Sequence, residues 1–104
     1  MTDHLYDTDE TADISTTGTV AKLNTEDRPH VAAALFHADA NADYLVECSD
    51  TDSDTDADWH ALADNDATQS FRFQGTVSER WVRVRVDTAA GAGDTADVGI
   101  TATK

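Results

Sequence analysis

Apolar and polar residues alternate in short runs along most of this chain. In the clearest run, residues 81–86, valine fills every second position, and Trp81, Arg83 and Arg85 fill the positions between. Successive side chains of a strand point to opposite faces, so this run predicts a strand with one buried and one outward face. Shorter or weaker runs of the same kind cover residues 14–23, 30–37, 44–48, 59–62, 69–74 and 98–103.

Residues 30–37 are ambiguous, because apolar residues occupy both faces of this run. The pattern fits a strand covered on both sides or a short helix, and the alanine content favours the helix. The run lies between Pro29 and a turn-forming acidic stretch at residues 39–43, which leaves a usual strand length. We therefore predict a strand and keep the helix as the alternative.

About seven to eight short strands separated by polar turns predict an all-β fold, a single antiparallel β-sandwich or jelly roll. A chain of 104 residues has room for one such domain. We place this domain at residues 13–104. Residues 1–12 are polar and aperiodic and are predicted to be a flexible N-terminal arm. The apolar pair in this arm, Leu5 and Tyr6, is expected to dock on a neighbouring molecule.

The charge balance is extreme for so short a chain, with 7 Lys and Arg against 21 Asp and Glu and a net charge of −14. Self-repulsion of this size opposes folding in dilute buffer, but at about 1 M salt the Debye length falls to about 3 Å. The composition therefore predicts a protein of concentrated salt. Nucleic acid is not expected as a partner.

The single cysteine, Cys48, excludes an internal disulfide, and its place in an alternating run predicts a buried structural thiol. No apolar stretch approaches the roughly 20 residues of a membrane-spanning helix. We expect neither a membrane partner nor a cofactor.

Five aspartates, Asp50, Asp52, Asp54, Asp56 and Asp58, alternate in one loop. Ca²⁺ takes six to eight oxygen ligands, and such a loop can supply several of them. The helix-loop-helix calcium pattern, however, requires glycine at its sixth and glutamate at its twelfth position, and no register of this loop provides them. We predict a solvated loop without a metal, with Asp50, Asp52 and Asp54 as weak candidates for a loosely held cation.

No arrangement of residues indicates catalysis. The four histidines have no recognised metal-ligand spacing, and no nucleophile elbow or glycine-rich phosphate loop is present. Aspartate is too abundant for any one residue to mark a Ser, His and Asp set. The sequence therefore predicts a protein that is not an enzyme.

Arginine is concentrated near the strongest strand, at Arg72, Arg80, Arg83 and Arg85, while the rest of the chain is acidic. One interpretation is cross-strand pairing with Glu47, Glu79 or local aspartates. The other is an outward basic stripe of Arg72, Arg83 and Arg85 that meets an acidic partner.

Three segments, YLVECSD at 44–50, WHAL at 59–62 and RWVRVRV at 80–86, resemble the middle of a discoidin-like, galactose-binding-type jelly roll. This resemblance implies a sandwich. It also implies an alternative function, a carbohydrate- or receptor-binding module of a tail or cell surface. Its aromatic platform would consist of Tyr44, Trp59 and Trp81.

In composition, size and architecture, the chain also resembles small structural proteins of haloarchaeal tailed viruses. Such viruses carry β-sandwich proteins on the capsid, commonly as trimers. The resemblance implies a head decoration protein on the capsid surface, in contact with the major capsid protein or another virion protein. It further implies a homo-oligomer, with a trimer favoured. The predicted partner-binding residues are Arg72, Arg83, Arg85, Leu5 and Tyr6.

Overall fold

The computed structural model describes residues 4–36, 42–65 and 71–104, and the side chains of residues 5–36, 42–62 and 72–104. Its strands are β1 (His4–Asp13), β2 (Gly18–Asn24), β3 (His30–Phe36), β4 (Asp43–Ser49), β5 (His60–Asn65), β6 (Phe71–Thr76), β7 (Trp81–Thr88) and β8 (Thr95–Thr103). A 3₁₀ turn at Asp56–Asp58 precedes β5. In these ranges there is no helix long and apolar enough to cross a membrane.

The strands form two four-stranded antiparallel sheets. Sheet A has the order β1-β8-β3-β6, and sheet B has the order β2-β7-β4-β5. Consecutive strands alternate between the sheets except at β4 and β5, which makes this the double-sheet jelly-roll arrangement. The predicted all-β sandwich is confirmed, and the described part of the run predicted at residues 30–37 forms strand β3, His30–Phe36, rather than the alternative helix.

The core lies between the two sheets and follows the alternation in the sequence. Val82, Val84 and Val86 on β7 are fully buried and belong to the same apolar cluster as Val98 and Ile100 on β8. Tyr44 is also fully buried in this cluster. Cys48 is buried, as the sequence predicts.

The predicted arm is wrong for the described residues of this segment, because His4–Asp13 forms strand β1 at the edge of sheet A, paired with β8. Leu5 packs against the core, and Ala12 is 2% exposed. Because this segment is rich in acidic residues, its sequence does not show the apolar–polar alternation of a strand. Charged residues are nevertheless compatible with an edge strand. Asp7 even accepts a hydrogen bond from the backbone N–H of Lys22 on β2, at 2.9 Å, which links the two edges.

Two predicted boundaries fall partly outside the described residues, namely the turn at 39–43 and the start of the strand at 69–74. Within the described part, β6 begins at Phe71, and Phe73 packs against the core.

Adjacent residues of β3 provide a matched test of the sandwich. Leu35→Ala is expected to cost about 2–5 kcal/mol of unfolding free energy, because Leu35 is 0% exposed and its loss leaves a cavity. Phe36→Ala is expected to cost less than about 0.5 kcal/mol, because Phe36 is 58% exposed. Urea unfolding at low protein concentration in molar KCl measures both. Equal losses would contradict the assigned faces of β3.

Candidate functional site

The centre of the outer face of sheet B is a buried ion pair. Arg83 on β7 lies opposite Glu47 on β4 in the strand register, and both residues are 4% exposed. The Arg83 Nε atom donates to Glu47 Oε1 at 2.9 Å, and Nη2 lies 2.8 Å from the same oxygen. A buried guanidinium requires such a partner, because desolvation of an unpaired charge is very costly.

Three further groups surround the Arg83 guanidinium. Its Nη2 atom donates to Asp56 Oδ1 at 3.0 Å, and Nη1 donates to Thr19 Oγ1 at 3.3 Å. The Trp59 ring lies with its centroid 4.3 Å from the guanidinium carbon, a cation–π contact that also excludes water. The charge is therefore held by two carboxylates and covered by an aromatic ring.

Arg85 extends the same network. Its Nε atom donates to Glu47 Oε1 at 2.9 Å, and Nη1 donates to Asp87 Oδ1 at 3.1 Å. The Glu47 hydrogen bond is the main reason that the pKa of Arg85 is raised above its ordinary value. We call Glu47, Asp56, Arg83 and Arg85 the ion-pair network.

The aspartate-rich loop, residues 50–58, folds back over this face. Asp56 anchors it to the network, and Asp52 lies 2.7 Å from Lys22 Nζ on β2. Trp59 Nε1 donates to the backbone oxygen of Ser53 at 3.0 Å, which closes the loop on itself. The outer face of sheet B is thus covered by the chain's own loop.

The cation candidates do not converge. Asp52 is paired with Lys22, and Asp50 and Asp54 are exposed. Within the described ranges, no three His, Cys, Asp or Glu side chains lie together as ligands for a metal ion. A loosely held cation at Asp50, Asp52 and Asp54 remains a prediction without a ligand cluster to support it.

The arginines predicted as one stripe are not brought together. Arg83 and Arg85 make the pairing with Glu47 that the first interpretation predicts, and Arg83 is buried rather than exposed. Arg72 lies on β6 in the other sheet, exposed. Sequence reasoning missed Asp56 and Trp59 as contacts of Arg83, because both come from a loop whose path the alternation does not predict.

The aromatic platform implied by the discoidin resemblance does not form. Tyr44 is 0% exposed and Trp59 is 6% exposed. Trp81 is half-buried, and Lys22 Nζ lies 5.8 Å from its ring centroid. These aromatic side chains serve packing and cation–π contacts instead.

The outer face of sheet A is uncovered within the described structure. Tyr6 and Phe36, the large apolar side chains most exposed in the described residues at 64% and 58%, both belong to it, whereas Leu5 points to the core. Its outward positions are Tyr6, Thr8 and Asp13 on β1, Thr95, Asp97, Gly99, Thr101 and Thr103 on β8, His30, Ala32, Ala34 and Phe36 on β3, and Arg72, Gln74 and Thr76 on β6. We call this surface the A face.

The A face contains a shallow groove. A cavity of about 260 Å³ is lined by Thr8, Ala34, Phe36, Arg72 and Gly99, among others. The groove exists because small residues occupy the middle of the sheet while longer side chains stand beside them.

Cys48 has a large pKa shift. Burial is the main cause and the neighbouring Glu79 carboxylate, which accepts a hydrogen bond from Cys48 Sγ at 3.3 Å, is the second; together with nearby acidic charges they raise the pKa of the thiol to about 12. The same hydrogen bond is the main reason that the pKa of Glu79 is lowered. The thiol is therefore protonated and unreactive in the folded protein.

No protein-family model matches the chain, and no curated protein matches its sequence. Solved structures share its fold. The SPBc2 prophage-derived protein YomS is 10% identical, with a TM-score of 0.60 over 100% of this chain and 97% of that protein. A structure described as Bacillus endospore appendages that form disulfide-linked pili is 19% identical, with a TM-score of 0.50 over 96% of this chain and 88% of that one. At these identities the likeness establishes the β-sandwich fold, while the discoidin and haloarchaeal virus resemblances remain predictions.

A double-mutant cycle tests the ion-pair network. We expect Glu47→Gln to destabilise the fold by about 3 kcal/mol, because it leaves buried guanidinium charge uncompensated. The coupling energy between Glu47→Gln and Arg83→Gln should exceed about 2 kcal/mol. The control cycle, Lys22→Gln with Asp52→Asn, should give less than about 1 kcal/mol, because side chains 38% and 42% exposed are screened. Urea unfolding of each variant supplies the energies, and equal couplings would refute the buried network.

The Cys48 thiol yields a pH prediction. The folded pKa of about 12 exceeds the ordinary value of 9.0, so between these values the unfolded chain releases a proton that the folded chain keeps. Stability should therefore fall as pH rises above about 9, and less steeply in Cys48→Ala than in the parent. Thermal unfolding from pH 8 to 11 measures this slope. Identical slopes, or rapid labelling of the native thiol by maleimide at pH 8, would be the contrary result.

Proposed function

We propose that this protein is a non-enzymatic structural protein of a virion, a head decoration protein that binds the capsid surface of a halophilic tailed virus. Its expected partner is the major capsid protein or another virion protein. It is further proposed to act as a homo-oligomer.

One observation carries the proposal, the contrast between the two outer sheet faces. On sheet B, the charged side chains that catalysis would require form ion pairs with each other under the loop at residues 50–58. On sheet A, the exposed side chains Tyr6 and Phe36 stand on a broad face of strands. A rigid sandwich that presents apolar side chains without a convergent polar site is suited to protein contact.

Two further observations support a virion. A prophage-derived protein has the same fold over nearly its whole length, although at 10% identity. The net charge of −14 favours a protein that folds and assembles where salt screens repulsion. A small sandwich of this kind is suited to clamp larger subunits together.

A carbohydrate-binding role is the weaker candidate. It requires an aromatic platform, and Tyr44 and Trp59, two of its three predicted members, are buried.

Immunogold electron microscopy tests the proposal. An antibody against this chain should label the heads of intact virions released by cells that carry the gene, and mass spectrometry of the same particles should detect the chain. Antibody preabsorbed with the purified protein is the control. Virions that lack the chain would overturn the virion assignment, and labelling confined to tails would overturn the head assignment.

A further inference from the structure

We infer that the A face is the contact surface for a second copy of this chain, with two A faces packed together about a twofold axis. The inference concerns self-association and does not depend on the virion assignment. It rests on the chemistry of the face, on the positions of its charges and on the strand register.

The charge of the A face differs from that of the whole protein. The chain carries a net charge of −14, yet the outward positions of the A face include two acidic residues, Asp13 and Asp97, one arginine, Arg72, and His30 at one end. Two copies that meet through this face keep most of their negative charge apart. A contact through the acidic loop that covers sheet B would instead bring like charges together, which costs several kcal/mol.

Arg72 and Asp97 are available for a contact between copies. Neither makes an ion pair within the described part of the chain, whereas Arg83 and Arg85 do. A twofold interface is self-complementary, so a residue pair that matches across it occurs twice. One cation and one anion on the same face, neither of them ion-paired with another described residue, are the simplest set that such an interface can use.

The strand register fixes where these two charges lie. Arg72 is opposite Ala34 on β3, and Asp97 on β8 is opposite Phe36, two residues further along β3. With strands about 4.8 Å apart and about 3.4 Å per residue, Arg72 and Asp97 are separated by about 10 Å across the sheet and about 7 Å along it. The midpoint of their line falls on β3, between Ala34 and Phe36.

The exposed aromatic residues lie on a second line. Tyr6 on β1 is opposite Thr101, which is opposite Ala32 on β3. From Phe36 to Tyr6 the separation is therefore about 10 Å across the sheet and about 14 Å along it. On a flat lattice this line is perpendicular to the line from Arg72 to Asp97 and passes within about 2 Å of its midpoint.

This arrangement defines a twofold axis. An axis in the plane of the contact, along the line from Phe36 to Tyr6, sets Arg72 of each copy against Asp97 of the other. The same axis brings each Phe36 against the second Phe36 and each Tyr6 against the second Tyr6. Aromatic pairs of this kind add to the stabilisation from buried area.

The groove of about 260 Å³ beside Phe36 accepts side chains of the second copy, because Ala34 and Gly99 form its floor. Four strands of about seven residues give a projected face of about 450 Å². Stable partners usually bury about 800 Å² each, so the dimer should dissociate reversibly on dilution. The face-to-face geometry closes with two copies, in contrast to the trimer that the virus resemblance favours.

Sedimentation velocity in 2 M KCl, over a range of protein concentrations, tests the inference. The parent chain should show a reversible monomer–dimer equilibrium, and the dimer should weaken as KCl is lowered because repulsion between two acidic chains grows. Phe36→Ser should weaken the dimer at least about tenfold while leaving the melting temperature of the monomer nearly unchanged.

A charge swap distinguishes the proposed pairing of Arg72 with Asp97 from nonspecific association. Arg72→Asp alone, or Asp97→Arg alone, should each weaken the dimer about tenfold or more, because like charges then face each other. The double variant Arg72→Asp with Asp97→Arg should restore it to within about threefold of the parent. Arg80→Asp is the matched control, because Arg80 bonds Asn24 at the edge of sheet B and lies off the A face, and it should have no effect beyond about threefold.

The contrary outcomes are equally definite. A parent chain that stays monomeric at millimolar concentration, a trimer, or a double variant as weak as the single ones would overturn the inference. Monomeric protein that is nevertheless present on virion heads would refute the inference and leave the assignment to the virion head intact. A dimer in solution, together with virions that lack this chain, would support the inference and refute the virion assignment.

Discussion

The buried guanidinium of Arg83 is the constraint on which the arrangement of the surface depends. A charge that is 4% exposed requires carboxylate partners at hydrogen-bond distance, and Glu47 on the neighbouring strand provides one. The second, Asp56, comes from the loop at residues 50–58, and Trp59 covers the remaining side. The Arg83 guanidinium therefore both pairs with Glu47 on the neighbouring strand and holds the loop through Asp56. The pairing of β7 with β4 and the position of the loop are thereby coupled.

This coupling makes the two outer sheet faces unequal. Sheet B is covered by its own acidic loop, which places much of the negative charge on that side of the molecule. Sheet A has no such cover within the described residues and carries small, mostly uncharged side chains around Tyr6 and Phe36. A sandwich of two similar sheets thus has one outer face under an acidic loop and one outer face that no other described segment covers.

The sequence predicted the sheets better than it predicted the surface. Alternation identified β7 and its valines because burial on one face leaves a period of two, and the same rule worked for β4, whereas β3, with apolar residues on both faces, was predicted from its length. It failed at β1, where aspartates and threonines occupy an edge strand whose pairing with β8 depends on a partner about 90 residues away. It failed again at Arg83, since an outward position in a strand predicts exposure unless a loop returns over it. The contacts of Asp56 and Trp59 are tertiary, and no local pattern contains them.

Concentrated salt acts differently on the two faces, and this difference links the acidic composition to assembly. Screening weakens exposed pairs such as Lys22 with Asp52, but it has little effect on charges buried as deeply as Arg83 and Glu47. It also removes most of the long-range repulsion between chains of net charge −14. The cover over sheet B therefore persists in salt while the barrier to contact through sheet A falls. We therefore expect high salt to favour both the fold of this chain and contact between its uncovered face and another protein surface.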